Sequence, residues 1–255
     1  MNQRTDGQSV IVYGKHAVLA VLAFNKKLVK AAWISRHLEG EDLYYKVRNA
    51  LKSVKIELKE MTIGDLDRKA GVTEHQGIMV ELSAYPFVSL EEFFAAEETE
   101  PVTHSLVVML DKIEDPHNVG AIARTAVGMG ARALIIPEHG QAPISGTVIK
   151  TSVGSIFSIP VIKVTNLART LEAFKQRKYW TYGLDMGGKP VDEVEFAEKS
   201  VIVIGGEGEG LRQLTAETCD EVVSLPKSEA LESYNASVSG AMAMYEYNRQ
   251  TGLNK

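Results

Sequence analysis

Arg124 is the charged side chain whose surroundings most suggest chemistry. It lies in a predicted helix that follows Asp115-Pro116-His117, and Asn118 is predicted to cap this helix. The opposite face of the helix carries an apolar stripe formed by Val119, Ile122, Ala126 and Met129. The neighbours of Arg124 on its own face are all small, namely Gly120, Ala121, Gly128 and Ala131. A guanidinium among such residues predicts close packing by a ligand, an RNA backbone or a second subunit, although a sparse exposed face would give the same pattern.

Two further segments place polar groups next to predicted strands. Gly205–Gly210, with Glu207 among its glycines, follows an apolar run and can offer backbone N–H groups to a ligand. Leu225-Pro226 leads through a polar loop to Ser233-Tyr234-Asn235, which enters a helix of small residues. The local pattern alone favours Ser233 or Asn235 as a helix cap.

Residue types exclude several familiar sites. Gly187-Gly188-Lys189 is followed by Pro190, so it lacks the hydroxyl of a P-loop. The first strand of the C-terminal half leads into Asp111–His117, which contains no glycine and therefore no dinucleotide fingerprint. The six histidines include no pair at ligand spacing, and Cys219 has no cysteine partner. We therefore expect no metal.

The predicted elements divide at an acidic segment. Before it we predict helices at Lys15–Phe24, Leu43–Lys52 and Ile63–Lys69 and strands at Ala31–Ser35, Val54–Leu58 and Gly77–Ser83. After it, a helix is predicted at Leu167–Arg177 and strand-like runs recur at Leu106–Leu110, Ala133–Ile136, Ile159–Val164, Trp180–Leu184, Val201–Ile204 and Glu221–Leu225. Apolar strands separated by helices predict an α/β fold with a mostly parallel sheet covered on both faces.

The charge distribution predicts the domain organisation. Residues 1–84 carry 13 Lys and Arg against 10 Asp and Glu, residues 85–105 carry five Glu and no basic residue, and residues 106–255 carry 15 against 18. We expect a small domain at 1–84, an acidic linker at 85–105 and a larger domain at 106–255. The mildly basic first domain is where RNA or DNA would bind, if the chain binds either. Its candidate basic patch comprises Lys15, Lys26, Lys27, Lys30 and Arg36.

The whole chain has an ordinary globular composition. It contains 255 residues, of which 45% are hydrophobic, and its formal net charge is -5. No apolar run approaches the ~18 residues of a membrane span, so no membrane association is expected. The single cysteine and the polar start of the chain favour the cytoplasm.

Three segments taken in order resemble the motifs of the SpoU (TrmH) family of RNA ribose 2'-O-methyltransferases. They are Asn118-x-Gly120-x-x-x-Arg124-x-Ala126, then Val201 to Gly210, then Leu225-Pro226 with Ser233-Tyr234-Asn235-Ala236-Ser237. The N-terminal part also resembles this family, through Gly14-Lys15-His16-Ala17-Val18 and His75-Gln76-Gly77. These residues are similar to the substrate-binding domain of the branch that methylates a guanosine ribose of large-subunit (23S) ribosomal RNA.

The resemblance implies a C-terminal methyltransferase domain with a trefoil knot and a ribosomal-protein-like N-terminal RNA-binding domain. It also implies a homodimer and the cofactor S-adenosyl-L-methionine, held in the knot by main chain around five residues: Gly205, Gly206, Gly210, Leu225 and Tyr234. This chain departs from the family at two of its positions. It has Tyr234 where leucine is usual and Lys227 where methionine follows the proline.

The resemblance also implies roles for five catalytic candidates. Because a guanidinium is a poor proton acceptor at neutral pH, we expect Arg124 to clamp a nucleotide phosphate and stabilise the developing alkoxide. Glu207 would orient Arg124 or accept the proton, and Asn118, Ser233 and Asn235 would hold these groups and the ribose.

Three alternatives remain open at this stage. They are a tRNA substrate, a non-catalytic RNA-binding protein of the same fold, and a nucleotide-dependent oxidoreductase on a conventional doubly wound sheet.

Overall fold

A computed structural model gives the structure of the protein and describes residues 9–206, 208 and 210–252. The chain forms two compact units. Unit 1 contains the chain up to Pro86 together with Ile144–Ser158, and unit 2 contains Phe87–Pro143 and the chain from Ile159 onwards. The segment Ile144–Ser158 is called the inserted segment below. Nothing in the sequence pattern had predicted that it belongs with the N-terminal residues.

The strands and helices of both units follow in chain order. They are β1 (Val10–Tyr13), α1 (Lys15–Asn25), β2 (Val29–Ser35), α2 (Asp42–Lys52), β3 (Leu58–Met61), α3 (Ile63–Ala70), β4 (Ile78–Leu82), α4 (Leu90–Thr99), β5 (Ser105–Asp111), α5 (Pro116–Gly128), β6 (Ala133–Pro137), α6 (Gly146–Thr151), β7 (Val161–Val164), α7 (Leu167–Lys175), β8 (Trp180–Pro190), β9 (Lys199–Gly205), α8 (Gln213–Thr218), β10 (Glu221–Ser224) and α9 (Ala236–Thr251). No helix in the described part of the chain is long and apolar enough to cross a membrane.

Unit 1 is built on a four-stranded mixed sheet with the order β1-β4-β2-β3. Strand β4 is antiparallel to β1 and β2, whereas β2 and β3 are parallel. The inserted segment is bonded to the N-terminal residues of this unit. The hydroxyl of Tyr13 lies 2.9 Å from Oγ1 of Thr147, and the hydroxyl of Tyr85 donates to the carbonyl of Ile156 at 3.1 Å. Unit 1 is therefore discontinuous in sequence.

Unit 2 is built on a six-stranded sheet in which every pair of neighbouring strands is parallel. The strand order is β10-β8-β9-β5-β6-β7. All residues of β5 and β6 are buried, as expected for central strands of a parallel sheet that is covered on both faces. The prediction of an α/β fold with a mostly parallel sheet is confirmed.

The segment 85–105 differs from the plain acidic linker that its composition suggested, because about half of it forms helix α4. Ser89 caps this helix and forms a reciprocal capping box with Glu92. Phe93 and Phe94 are buried in the core of unit 2, and the ring of Phe94 packs edge-on against Phe174 at a centroid distance of 4.9 Å. Two adjacent phenylalanines thus anchor a helix that exposes Glu91 and Glu98, whereas Glu97 is buried and accepts hydrogen bonds from the hydroxyls of Ser105 and Tyr179.

Other predicted boundaries shift by a few residues. The predicted strand at Val54–Leu58 is wrong over most of its length, since a turn containing Lys55 at φ 58° precedes β3. Strand β8 continues to Pro190, well beyond the predicted end at Leu184. The sequence analysis also did not predict β1, α4, α6 and α8.

Candidate active site

One cavity of about 270 Å³ lies in unit 2, beside the carboxyl ends of the parallel strands. Three segments line it: the middle of β8, the glycine-rich loop after β9, and the chain from β10 into α9. All five residues that the family resemblance implied for the cofactor line this cavity, namely Gly205, Gly206, Gly210, Leu225 and Tyr234. Ligands of open α/β sheets bind outside the carboxyl ends of the strands, so the position suits a binding site.

The glycines of the loop after β9 are required by close backbone contacts. A Cβ atom on Gly205 would lie 2.4 Å from the carbonyl carbon of Gly210. One on Gly206 would lie 2.6 Å from the carbonyl oxygen of Lys112. The loop also closes on itself, because the N–H of Gly210 donates to the carbonyl of Gly206 at 3.2 Å. Side chains at these positions would push this wall of the cavity apart.

Two carboxylates hold the chain where it leaves the loop. Asp185, on β8, accepts a hydrogen bond from the N–H of Leu211 at 3.1 Å. Asp111, at the end of β5, is fully buried and accepts from Arg212 twice, from the backbone N–H at 3.0 Å and from Nε at 2.6 Å. A buried carboxylate needs such a charged partner, so this pair fixes the path of the chain beside the cavity.

The third wall contains both positions at which the chain departs from the family pattern. The hydroxyl of Tyr234 donates to the carbonyl of Pro226 at 3.0 Å, which closes the loop between them. The ammonium of Lys227 donates to the carbonyl of Leu231 at 2.9 Å. Both substitutions therefore add polar contacts inside this loop that a leucine and a methionine could not make.

Asn118 and Asn235 meet across helices α5 and α9. Nδ2 of Asn235 donates to Oδ1 of Asn118 at 2.9 Å, and Oδ1 of Asn235 caps α9 by accepting from the N–H of Ser237. The prediction that Asn118 caps α5 is wrong. Asp115 is the cap, because its carboxylate accepts from the N–H of His117, and Pro116 occupies the first helical position. Asn118 is instead a buried residue of the first turn.

The other three catalytic candidates are Ser233, Arg124 and Glu207. Ser233 is exposed, and it lines the cavity beside Tyr234. Arg124 is exposed on α5 and does not line the cavity. Glu207 lies outside the residues that the structure describes. The structure thus brings Asn118 and Asn235 together and puts Ser233 at the cavity.

Sequence reasoning missed the carboxylates of Asp111 and Asp185. Each follows an apolar strand-like run, and that position is a signal that could have identified them. Cys219 is not a candidate nucleophile, because burial raises the pKa of its thiol to about 12 and keeps it protonated. The described residues contain no group of three or more His, Cys, Asp or Glu side chains that could hold a metal ion.

Comparison with known sequence families gives a match for each half of the chain. The SpoU rRNA methylase family matches residues 105–245, and the family described as RNA 2'-O ribose methyltransferase substrate binding matches residues 11–88. The chain belongs to the SpoU methylase family. This membership confirms the expected enzyme class, an RNA methyltransferase, and the expected cofactor, S-adenosyl-L-methionine.

Individual relatives are similar to most of the chain. An uncharacterized tRNA/rRNA methyltransferase of Synechocystis is 34% identical over 96% of this chain, which spans 64% of that relative. The putative TrmH family tRNA/rRNA methyltransferase YacO of Bacillus subtilis is 35% identical over 94% of this chain and 95% of its own length. The 23S rRNA (guanosine-2'-O-)-methyltransferase RlmB of Vibrio vulnificus is 34% identical over 94% and 96%.

Solved structures show the same fold. The SpoU methyltransferase AviRb of Streptomyces viridochromogenes, in complex with AdoMet, superposes with a TM-score of 0.77 at 24% identity, over 95% of this chain and 90% of that chain. An rRNA methyltransferase of Sinorhizobium meliloti gives a TM-score of 0.78 at 18% identity, over 96% and 88%.

Proposed function

We propose that the enzyme methylates the ribose 2'-hydroxyl of a guanosine in 23S ribosomal RNA. Relatives that carry this activity in their names, from three Vibrio species, are 32–34% identical over 94–96% of this chain and 96–98% of their own lengths. Both halves of the chain are therefore represented in them. The observation that carries the proposal is the glycine-walled cavity next to the Asn118–Asn235 pair.

The cavity suits an adenosyl group because four of the residues that line it are glycines, which have no side chain to occupy the space. Gly205, Gly206 and Gly210 leave main-chain groups accessible, and Leu225 and Tyr234 face them from the third wall. We assign these five residues to cofactor binding. The sulfonium of S-adenosyl-L-methionine supplies an activated methyl group when the cofactor is bound.

The protein's part in the transfer is to position the acceptor ribose and to stabilise its oxygen. The attacking 2'-oxygen must lie ~3 Å from the methyl carbon, so placement alone can lower much of the barrier. Asn118, Asn235 and Ser233 hold the ribose beside the cavity. Arg124 clamps a phosphate and stabilises the alkoxide, and Glu207 receives the proton of the hydroxyl.

The exposure of Arg124 is explained by a homodimer in which the active site lies at or near the subunit interface. Helix α9 carries an exposed apolar face at i, i+4 and i+7, formed by Val238, Met242 and Tyr245. Such a face on a helix is typical of a protein–protein contact. We propose that a second copy covers it and that Arg124 then lies against bound RNA.

The remaining expectations complete the proposal. Unit 1 is the ribosomal-protein-like RNA-binding part, and its candidate basic patch has exposed side chains at Lys27, Lys30 and Arg36 and half-buried ones at Lys15 and Lys26. RNA affinity from such a patch weakens steeply with salt. We further propose that the chain segments around the cavity form a trefoil knot and that the enzyme works in the cytoplasm. Residues 1–84 and 106–255 would be the two functional domains, except that the inserted segment Ile144–Ser158 belongs with the first of them.

The test uses the purified protein, methyl-labelled S-adenosyl-L-methionine and separate pools of protein-free 23S rRNA and tRNA from a strain lacking the gene. We expect label at one alkali-resistant linkage of 23S rRNA. Label in tRNA would keep the chemistry and overturn the substrate. No label in either pool would contradict transfer to free RNA. Cofactor binding would then point to an assembled ribosomal particle as the substrate, whereas absence of cofactor binding would favour a non-catalytic RNA-binding role.

The role of Arg124 is tested by Arg124→Lys in the same assay. Lysine keeps the charge but loses the planar fork, so we expect kcat to fall by about 10²–10³-fold, the loss typical of a removed transition-state donor. Arg169→Lys, on the exposed face of α7, is the matched control and should leave kcat unchanged. Near-normal turnover of Arg124→Lys would refute the clamp.

A further inference from the structure

Asp185 is an acidic residue in the wall of the cavity, and its role in holding the glycine-rich loop leaves part of its carboxylate unused. Among the lining residues that the structure describes, only Asp185 and Lys227 carry a charge. The two charges have opposite sign. The side chains that flank Asp185 in this wall, Leu184 and Met186, are apolar, so its carboxylate suits a ligand that brings hydrogen-bond donors.

The hydrogen bonds of Asp185 are divided between its two oxygens. Oδ1 accepts from the N–H of Met186 at 2.6 Å, and Oδ2 accepts from the N–H of Leu211 at 3.1 Å. An ionised carboxylate has about four acceptor positions, two on each oxygen. With respect to the residues that the structure describes, each oxygen of Asp185 therefore keeps one acceptor position beyond these backbone bonds.

The backbone bonds also fix where the carboxylate lies. Gly210 adopts φ +67°, and a Cβ there would lie 2.7 Å from Oδ2 of Asp185. The carboxylate thus packs against the loop at the edge of the cavity, and these contacts hold its position without a ligand. Little conformational entropy is lost when it accepts further bonds, which favours affinity.

We propose that Asp185 binds the adenosine ribose of the cofactor, each carboxylate oxygen accepting one hydrogen bond from its vicinal 2'- and 3'-hydroxyls. This inference rests on the proposed cofactor site. A vicinal diol brings two adjacent O–H donors, which match one acceptor position on each of two adjacent oxygens. The same chemistry operates where an acidic residue binds the ribose of a dinucleotide.

The test measures binding, not methyl transfer. Isothermal titration calorimetry compares S-adenosylhomocysteine with the analogue that lacks both ribose hydroxyls, on the full-length protein and on Asp185→Ala. In the wild-type protein we expect removal of the hydroxyls to weaken binding by about tenfold or more, as for hydrogen bonds to a charged group. In Asp185→Ala the two ligands should bind within about threefold of each other.

This comparison separates ribose binding from support of the loop. Loss of the Leu211 anchor weakens both ligands equally, so it does not change their ratio. Asp185→Asn keeps the size of the side chain and should give an intermediate ratio. Asp192→Ala, an exposed aspartate that does not line the cavity, is the matched control and should keep the wild-type ratio.

Each outcome has a distinct meaning. Equal binding of the two ligands to the wild-type protein overturns the inference without any variant. A wild-type ratio in Asp185→Ala overturns it as well, while the proposed cofactor site stands. If S-adenosylhomocysteine does not bind the wild-type protein, the proposed cofactor site fails and this inference fails with it.

Discussion

Replacing Gly205 by alanine tests whether the glycine-rich loop shapes the cavity. The new Cβ would lie 2.4 Å from the carbonyl carbon of Gly210, 2.5 Å from its oxygen and 2.7 Å from the nitrogen of Leu211. Ordinary contacts begin near 3.4 Å, so backbone must move by about 1 Å. All three atoms belong to the main chain and none can rotate away. The loop must therefore separate from β9.

We expect this change to cost about 1–3 kcal/mol of the free energy of unfolding, the usual cost of overpacking a buried site. For a chain of this size, that corresponds to a fall in Tm of roughly 2–12 °C. The affinity for S-adenosylhomocysteine should fall by at least about tenfold, because the displaced loop forms one wall of the proposed cofactor site.

Gly187→Ala is the matched control. Gly187 is an exposed residue of β8, the strand beside β9, and a Cβ there would meet no atom within 4 Å. Its Tm and affinity should stay within experimental error of the wild type, or Tm should rise slightly because alanine restricts the unfolded chain. Calorimetry and thermal unfolding are measured on all three proteins. If Gly205→Ala binds and melts like Gly187→Ala, the backbone contacts do not determine the cavity.

Two further predictions concern the third wall and the cysteine. Tyr234→Phe removes the hydrogen bond to Pro226, so S-adenosylhomocysteine affinity should fall by about 2–10-fold in calorimetry, whereas Tyr45→Phe in unit 1 should have no effect. An unchanged affinity would show that the hydroxyl does not support the loop. Burial raises the pKa of Cys219 from 9.0 to about 12, so unfolding releases its proton and stability should fall as pH rises above about 9. Cys219→Ala should flatten that decline in urea titrations at pH 8 to 10, and an identical decline in both proteins would contradict the assignment.

The parts of the site that depend on local pattern could be predicted from the sequence. A glycine-rich run after an apolar strand marks the loop at Gly205, and the cap at Asn235 follows from its place before a helix. The wrong helix cap predicted at Asn118 was also a local error. Asp115 followed by Pro116 is a stronger signal for the start of a helix than Asn118, which lies two residues after that proline. In each case, the residues within a few positions were enough to predict the local structure.

The contacts that complete the site could not be predicted in this way. Asp111 and Arg212 are separated by 101 positions, and Asn118 and Asn235 by 117. Hydrophobic periodicity reports which face of an element is buried, not which distant element covers it. The glutamates of segment 85–105 likewise concealed a helix, because composition does not show that Phe93, Phe94 and Glu97 are buried.

The discontinuity of unit 1 has a consequence for synthesis on the ribosome. Its N-terminal residues end at Pro86, but the inserted segment is complete only at Ser158, 72 residues later. At translation rates of about 5–20 residues per second, Tyr85 waits roughly 4–14 s for Ile156, and Tyr13, which lies 134 positions before Thr147, waits roughly 7–27 s. Although unit 1 begins the chain, it therefore cannot finish folding before β5 and β6 of unit 2 have been made.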